Sequence, residues 1–148
     1  MSMRPSSDKF SNVKTSSQRG LDRGHVRLID EDTGKIIASE VELADNFWRR
    51  FRGLMFRRRF LSGKALFFKF NKPGRHGVHM FFVWFPIDLV YLDSSLKVVE
   101  VRARLNPWRM YRPKAVAKYL IELPAGVATR VRIRIGHKIL LGGKVFNP

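Results

Sequence analysis

The sequence predicts a mainly β (α+β) fold, with about seven mostly antiparallel strands in a barrel-like or sandwich arrangement and two short helices. Three observations carry this. Short runs rich in β-branched and aromatic residues recur along the chain, among them Ile87–Leu92 (IDLVYL), Leu96–Arg104 (LKVVEVRAR) and Ala117–Leu123 (AKYLIEL). Turn-forming groups separate them, such as Asp30–Gly34 (DEDTG), Asp93-Ser94-Ser95 and Pro124-Ala125-Gly126. Helical spacing is confined to short stretches.

Residues 1–24 are Ser-rich and basic without hydrophobic periodicity, which predicts a disordered basic N-terminal tail. The remainder, 25–148, is expected to form a single β-rich domain. His25–Asp30 and Lys35–Leu43 read as a hairpin. Asp45 is placed to cap a helix in which Phe47, Phe51 and Leu54 share one face and Arg49, Arg50 and Arg52 the other. Gly53 is suited to end it. Lys64–Phe70 predicts a strand and Asn71-Lys72-Pro73-Gly74 a turn. Gly77–Phe85 is nearly all apolar and predicts a buried central strand, which Pro86 interrupts. Leu105–Pro113 reads as a loop. Thr129–Ile135 (TRVRIRI) alternates like a strand, with a helical turn over Gly126–Val131 as the alternative. Lys138–Leu141 is the last predicted strand.

Composition sets bounds on function. The formal charge is +17, with 29 Lys and Arg against 12 Asp and Glu. Such a balance attracts polyanions, although a charge bias shared by a whole proteome gives the same count. The chain has no Cys, which removes disulfides, thiolate zinc sites and Cys nucleophiles. No apolar run approaches the ~20 residues of a membrane-spanning helix and no signal-peptide core is seen, so a cytoplasmic location is expected. G-x-S-x-G, P-loop and G-x-G-x-x-G patterns do not occur. His76 and His79 flank a glycine after a Pro-Gly pair, which disfavours a shared metal on a helix. No catalytic residue, metal or cofactor is therefore assigned.

The order of motifs resembles the uncharacterised family known as domain of unknown function 192. Gly53-Leu54-Met55-Phe56-Arg57 resembles its GLM-R signature, and Leu66-Phe67-Phe68 its LF-F strand. His79-Met80 through Pro86-Ile87-Asp88 to Asp93 is similar to its long central motif. Glu122-Leu123-Pro124-Ala125-Gly126 matches its ELPAG, and Gly136-His137-Lys138-Ile139 its closing segment. The resemblance spans about residues 25 to 142 and implies a compact, mostly β, barrel-like domain with short helices and no established biochemical activity. This chain departs from the family pattern where His79, Phe81, Phe82 and Val83 replace Trp, Lys, Asn and Thr, and where His137 replaces Asp.

Two functional expectations follow. The first is a non-enzymatic binding domain that contacts RNA or another polyanion through an Arg-rich surface: Arg49, Arg50, Arg52, Arg57, Arg58, Arg59, Arg109 and Arg112, with Trp108 as a loop aromatic able to stack on a base. The alternative is a small-anion or metabolite site in a cleft between the Gly53–Arg59 turn and the Met80–Asp88 strand. Its candidate residues are Met55, His79, Met80, Asp88 and Glu122. Asp88 and Glu122, each in an apolar strand, also have a plain structural reading as carboxylates that pair with Arg or with backbone N–H groups. Phe47, Phe51, Phe67, Phe68 and Phe82 are expected in the core.

Overall fold

The computed structural model describes residues 26–44 and 52–142. The predicted tail, the capping role of Asp45 and the helix residues up to Phe51, including Arg49 and Arg50, lie outside the described residues. Ten strands occur among them: β1 (Arg27–Asp30), β2 (Ile36–Ala38), β3 (Glu40–Ala44), β4 (Lys64–Gly74), β5 (Val78–His79), β6 (Ile87–Leu92), β7 (Val98–Leu105), β8 (Met110–Tyr111), β9 (Ala117–Pro124) and β10 (Ile139–Gly142). A single short helix among the described residues, α1, spans Val127–Val131.

The strands form three sheets rather than a closed barrel. A five-stranded sheet runs β3-β4-β9-β6-β7, with β1 between β10 and β2 in a second sheet and β5 paired to β8 in a third. Pairing is antiparallel except for β3 with β4. The predicted first hairpin therefore divides at Ser39: Ile36–Ala38 returns along β1, and Glu40–Ala44 crosses to the large sheet.

Three further expectations are corrected. Asn71–Gly74 is not a turn but the extended end of β4. Pro73 is tolerated there because the ladder to β9 is interrupted between Lys69 and Gly74. Gly77–Phe85 is not a buried central strand. Only Val78–His79 pairs, with Met110–Tyr111, and the chain then turns so that Met80 and Val83 point inward while Phe81, Phe82 and Trp84 are exposed. Phe82 is thus no core residue, whereas Phe67 and Phe68 are. A purely apolar run carries no alternation, so it marks hydrophobicity without fixing which side chains are covered. Finally, the helical alternative holds at Val127–Val131. Gly126 enters α1 with φ 93°, a left-handed value that favours glycine.

β6 is buried along its whole length. Its alternation, with that of β4 and β9, sorts the core onto two faces. Phe67, Val90, Leu92, Ile121 and Leu123 pack with α1 and the β10-β1-β2 sheet. Leu66, Phe68, Leu89, Tyr91 and Leu120 pack on the other face with Met80, Val83 and Leu54. This second face carries the candidate cleft.

Candidate functional site

Period-two alternation separates the two buried carboxylates of the large sheet. Asp88 pairs with Leu123 in register, and Glu122 pairs with Leu89. Asp88 therefore faces the α1 side and Glu122 the opposite side. Asp88 is fully buried, and its two oxygens accept three backbone hydrogen bonds. Oδ1 accepts from Arg104 N (2.8 Å), and Oδ2 from Gly126 N (3.0 Å) and Ala128 N (2.9 Å). Arg104 sits in the left-handed region (φ 50°) where β7 carries an extra residue opposite β6. One carboxylate thus satisfies the bulge and caps the first turn of α1, whose own cap residue is a glycine without a side chain.

On the opposite face lies a cavity of about 110 Å³. Arg52, Gly53, Leu54 and Met55 form one wall, and Val78, His79, Met80 and Val83 another. Phe68 and Phe70 of β4, Ile87 of β6 and Leu120 and Glu122 of β9 supply the floor. The sequence-predicted cleft is the place where this cavity opens. It brings Met55, His79, Met80 and Glu122 together with Arg52; Asp88 is not among the lining residues.

Two polar groups lining this cavity have no hydrogen-bond partner among the described residues. No hydrogen bond reaches the Glu122 carboxylate from the described residues. Burial pushes its pKa up to about 8, against an opposing pull from the Arg57 guanidinium. Arg57 does not pair with it, because its guanidinium donates both Nη1 and Nη2 to Glu42 (2.9 and 2.8 Å). His79 Nδ1 is buried with no hydrogen-bond partner. Buried polar groups are ordinarily paired, so two in one small cavity mark a place where a guest can bond. Burial favours the protonated form of Glu122, which can both donate and accept, and His79 Nδ1 does either according to its tautomer. His76 is occupied otherwise: it stacks on Phe70 and its Nε2 lies 2.8 Å from Lys72 O.

The remaining candidates among the described residues lie in the Arg52–Arg59 and Trp108–Arg112 segments, and of them Arg52 alone lines the cavity. Arg52, Arg58, Arg59, Arg109 and Arg112 are exposed, and Arg57 is half-exposed in its pair with Glu42. Trp108 is exposed and contacts three other rings, those of Phe81, Phe82 and Trp84. Strand-like alternation over Thr129–Ile135 would set Arg130, Arg132 and Arg134 on one face, but no such face forms, since Arg130 lies in α1 and donates to Ser62 Oγ (3.1 Å). The family Asp position held by His137 is structural as well: His137 Nδ1 lies 2.7 Å from Oδ2 of buried Asp30.

Residues 28–141 match the profile of DUF192, described as "Uncharacterized ACR". The chain belongs to the DUF192 family. Related UPF0127 proteins come from Thermococcus sibiricus, 39% identical over 76% of this chain and 72% of that protein, and from Pyrococcus abyssi, 39% identical over 76% of this chain and 94% of that one. Two solved structures share the fold at 22% identity and a TM-score of 0.69. One is a protein of unknown function from Novosphingobium aromaticivorans, matching 78% of this chain and 82% of that one; the other is described as a candidate transcription regulator from Sinorhizobium meliloti, matching 84% and 97%. Set against the DUF192 motifs, the cavity is built where three of them meet: Gly53-Leu54-Met55, His79-Met80 and Glu122 all line it.

Sequence reasoning missed the apolar floor, Phe68, Phe70 and Leu120. The signal was present, because Leu120 and Glu122 share strand parity and so must share a face. It also missed Phe81 and Trp84 as surface residues, for which no alternation gave a cue.

Proposed function

We propose that this domain binds a small uncharged metabolite in the cavity between the Gly53–Arg59 loop and the Met80–Asp88 segment. The observation that carries this reading is the cavity of about 110 Å³ itself, where buried His79 Nδ1 has no partner and the Glu122 carboxyl takes no hydrogen bond from the described residues, beside Arg52 and a mainly apolar remainder of the lining. The burial that favours the neutral form of Glu122, despite the pull of Arg57 and with Arg52 at the wall, also costs an anionic guest its solvation in the same space. This sharpens the choice between small anion and metabolite in favour of the latter. The fitting ligand has a compact apolar body for Met55, Met80 and Val83 and an amide- or carbonyl-like head for Glu122 and His79.

Isobutyramide and isobutyrate have nearly the same shape and differ in charge. Calorimetric titration at pH 6.5 is expected to give isobutyramide a Kd on the order of 1 mM, the range accessible to a ligand of a few atoms. Isobutyrate is expected to bind at least about 10-fold more weakly. Equal affinity of both compounds for wild type and for Glu122→Leu would refute the reading.

The exposed aromatic cluster among Arg side chains supports a second reading, contact with RNA through the Arg-rich surface. Salt dependence is its signature: affinity for a short RNA is expected to fall steeply between about 50 and 200 mM salt as condensed counterions are released. Salt-insensitive binding would argue against it.

A further inference from the structure

We propose that the aromatic cluster centred on Trp108 is a stacking platform for the unpaired bases of a single-stranded RNA, with the neighbouring Arg side chains on its phosphates. This rests on the reading that the Arg surface contacts RNA, and adds which face does so and in which form the RNA is held. Phe56, Phe81, Phe82, Trp84 and Trp108 are each 40–58% exposed. Their rings form one connected group: Phe56 to Phe82 at 5.0 Å, Phe82 to Trp108 at 5.2 Å, Trp84 to Trp108 at 5.5 Å and Phe81 to Trp108 at 6.4 Å. An exposed apolar group of this kind marks an interaction surface.

The backbone holds these rings outward at a cost. Phe56, Phe82 and Trp108 have φ of 62°, 57° and 62°, a region that bulky residues rarely adopt. The three loops are tied together there, with Phe56 N donating to Phe82 O and Trp108 N to Met80 O, both at 2.9 Å. Strain that turns aromatic rings toward solvent adds nothing to the core and fixes the platform before any partner arrives.

The chemistry around the rings is cationic and made of arginine. Every basic residue in Arg52–Arg59 and in Arg109–Arg112 is Arg. Arg57 is engaged by Glu42, but Arg58, Arg59 and Arg109 have no carboxylate partner among the described residues. Guanidinium groups grip phosphates in a bidentate manner and stack on bases. Aromatic faces accept any base, provided it is not already stacked inside a duplex.

The full chain is titrated with a short oligouridylate and with duplex RNA while Trp emission is followed. The expected result is saturable quenching by oligouridylate, weaker binding of the duplex, and a loss of about 10-fold or more in Trp108→Ala. Phe81→Ala, at a residue outside the left-handed region, is a second variant expected to weaken binding without backbone relaxation. If oligouridylate binds with salt-dependent affinity but without quenching, or both variants bind like wild type, the platform is overturned while the Arg-surface reading stands. If the duplex binds as tightly as the single strand, the platform is likewise overturned. Absence of binding to either RNA at low salt overturns both. Quenching or a blue shift produced only by phosphatidylglycerol vesicles, or only by raising protein concentration, assigns the surface to lipid or to a second copy and also overturns it.

Discussion

Replacing Asp88 with alanine is expected to lower the melting temperature by about 10–20 °C, the largest effect of any single polar substitution on the large sheet. The carboxylate accepts from Arg104 N, Gly126 N and Ala128 N. A buried N–H stripped of its acceptor costs about 1–3 kcal/mol, so the three together cost about 3–5 kcal/mol once partial solvation is allowed for. That is a large fraction of the 5–15 kcal/mol on which a domain of this kind rests. Asp88→Asn keeps one acceptor oxygen and is expected to fall between. Glu42→Ala removes a partly exposed pair with Arg57, worth about 1 kcal/mol or less, and serves as the contrast. Thermal melts of the three variants decide the point. A loss for Asp88→Ala no larger than that for Glu42→Ala would show that the bulge and α1 do not depend on this carboxylate.

The second large effect is a pH dependence traceable to Glu122. Burial holds its proton in the folded state up to about pH 8, whereas the unfolded chain releases it near the ordinary 4.5. Between those values the folded state binds the extra proton, so stability falls as pH rises through the window and is lowest above pH 8. At about 1.4 kcal/mol per pKa unit, the difference between pH 5 and pH 8.5 amounts to roughly 2–5 kcal/mol. Glu122→Gln carries no titrating proton. The gap between wild type and variant is therefore expected to open with rising pH in favour of glutamine. Parallel denaturation curves at both pH values would show that Glu122 does not titrate in this window.

The parts of the fold that were legible in the sequence are those where alternation and turn chemistry act together. Ile87–Leu92 and Ala117–Leu123 fall almost residue for residue on β6 and β9, since each is a short run of mostly aliphatic and aromatic residues that ends at Pro or Asp. The split at Ser39 was hidden, because parallel pairing of Glu40–Ala44 with β4 is a long-range choice that no local pattern encodes. The cleft was placed through the Gly53 loop and the His79-Met80 pair, both of which line the cavity. Including Asp88 in it ignored strand parity, which sets Asp88 and Glu122 on opposite faces of one sheet. The exposed rings of Phe81, Phe82 and Trp84 were illegible for a different reason: an apolar run reads the same whether it is covered or displayed.

The central claim, that the cavity receives a small uncharged guest, is tested most directly by methionine-methyl NMR of the full chain. Met55 and Met80 line the cavity, and Met110, 72% exposed on β8, is an internal control. Titration with isobutyramide is expected to shift the Met55 and Met80 methyls saturably and together, leave Met110 in place, and lose this response in Glu122→Leu. Shifts confined to Met110, or no saturable shift at Met55 and Met80, would contradict the account.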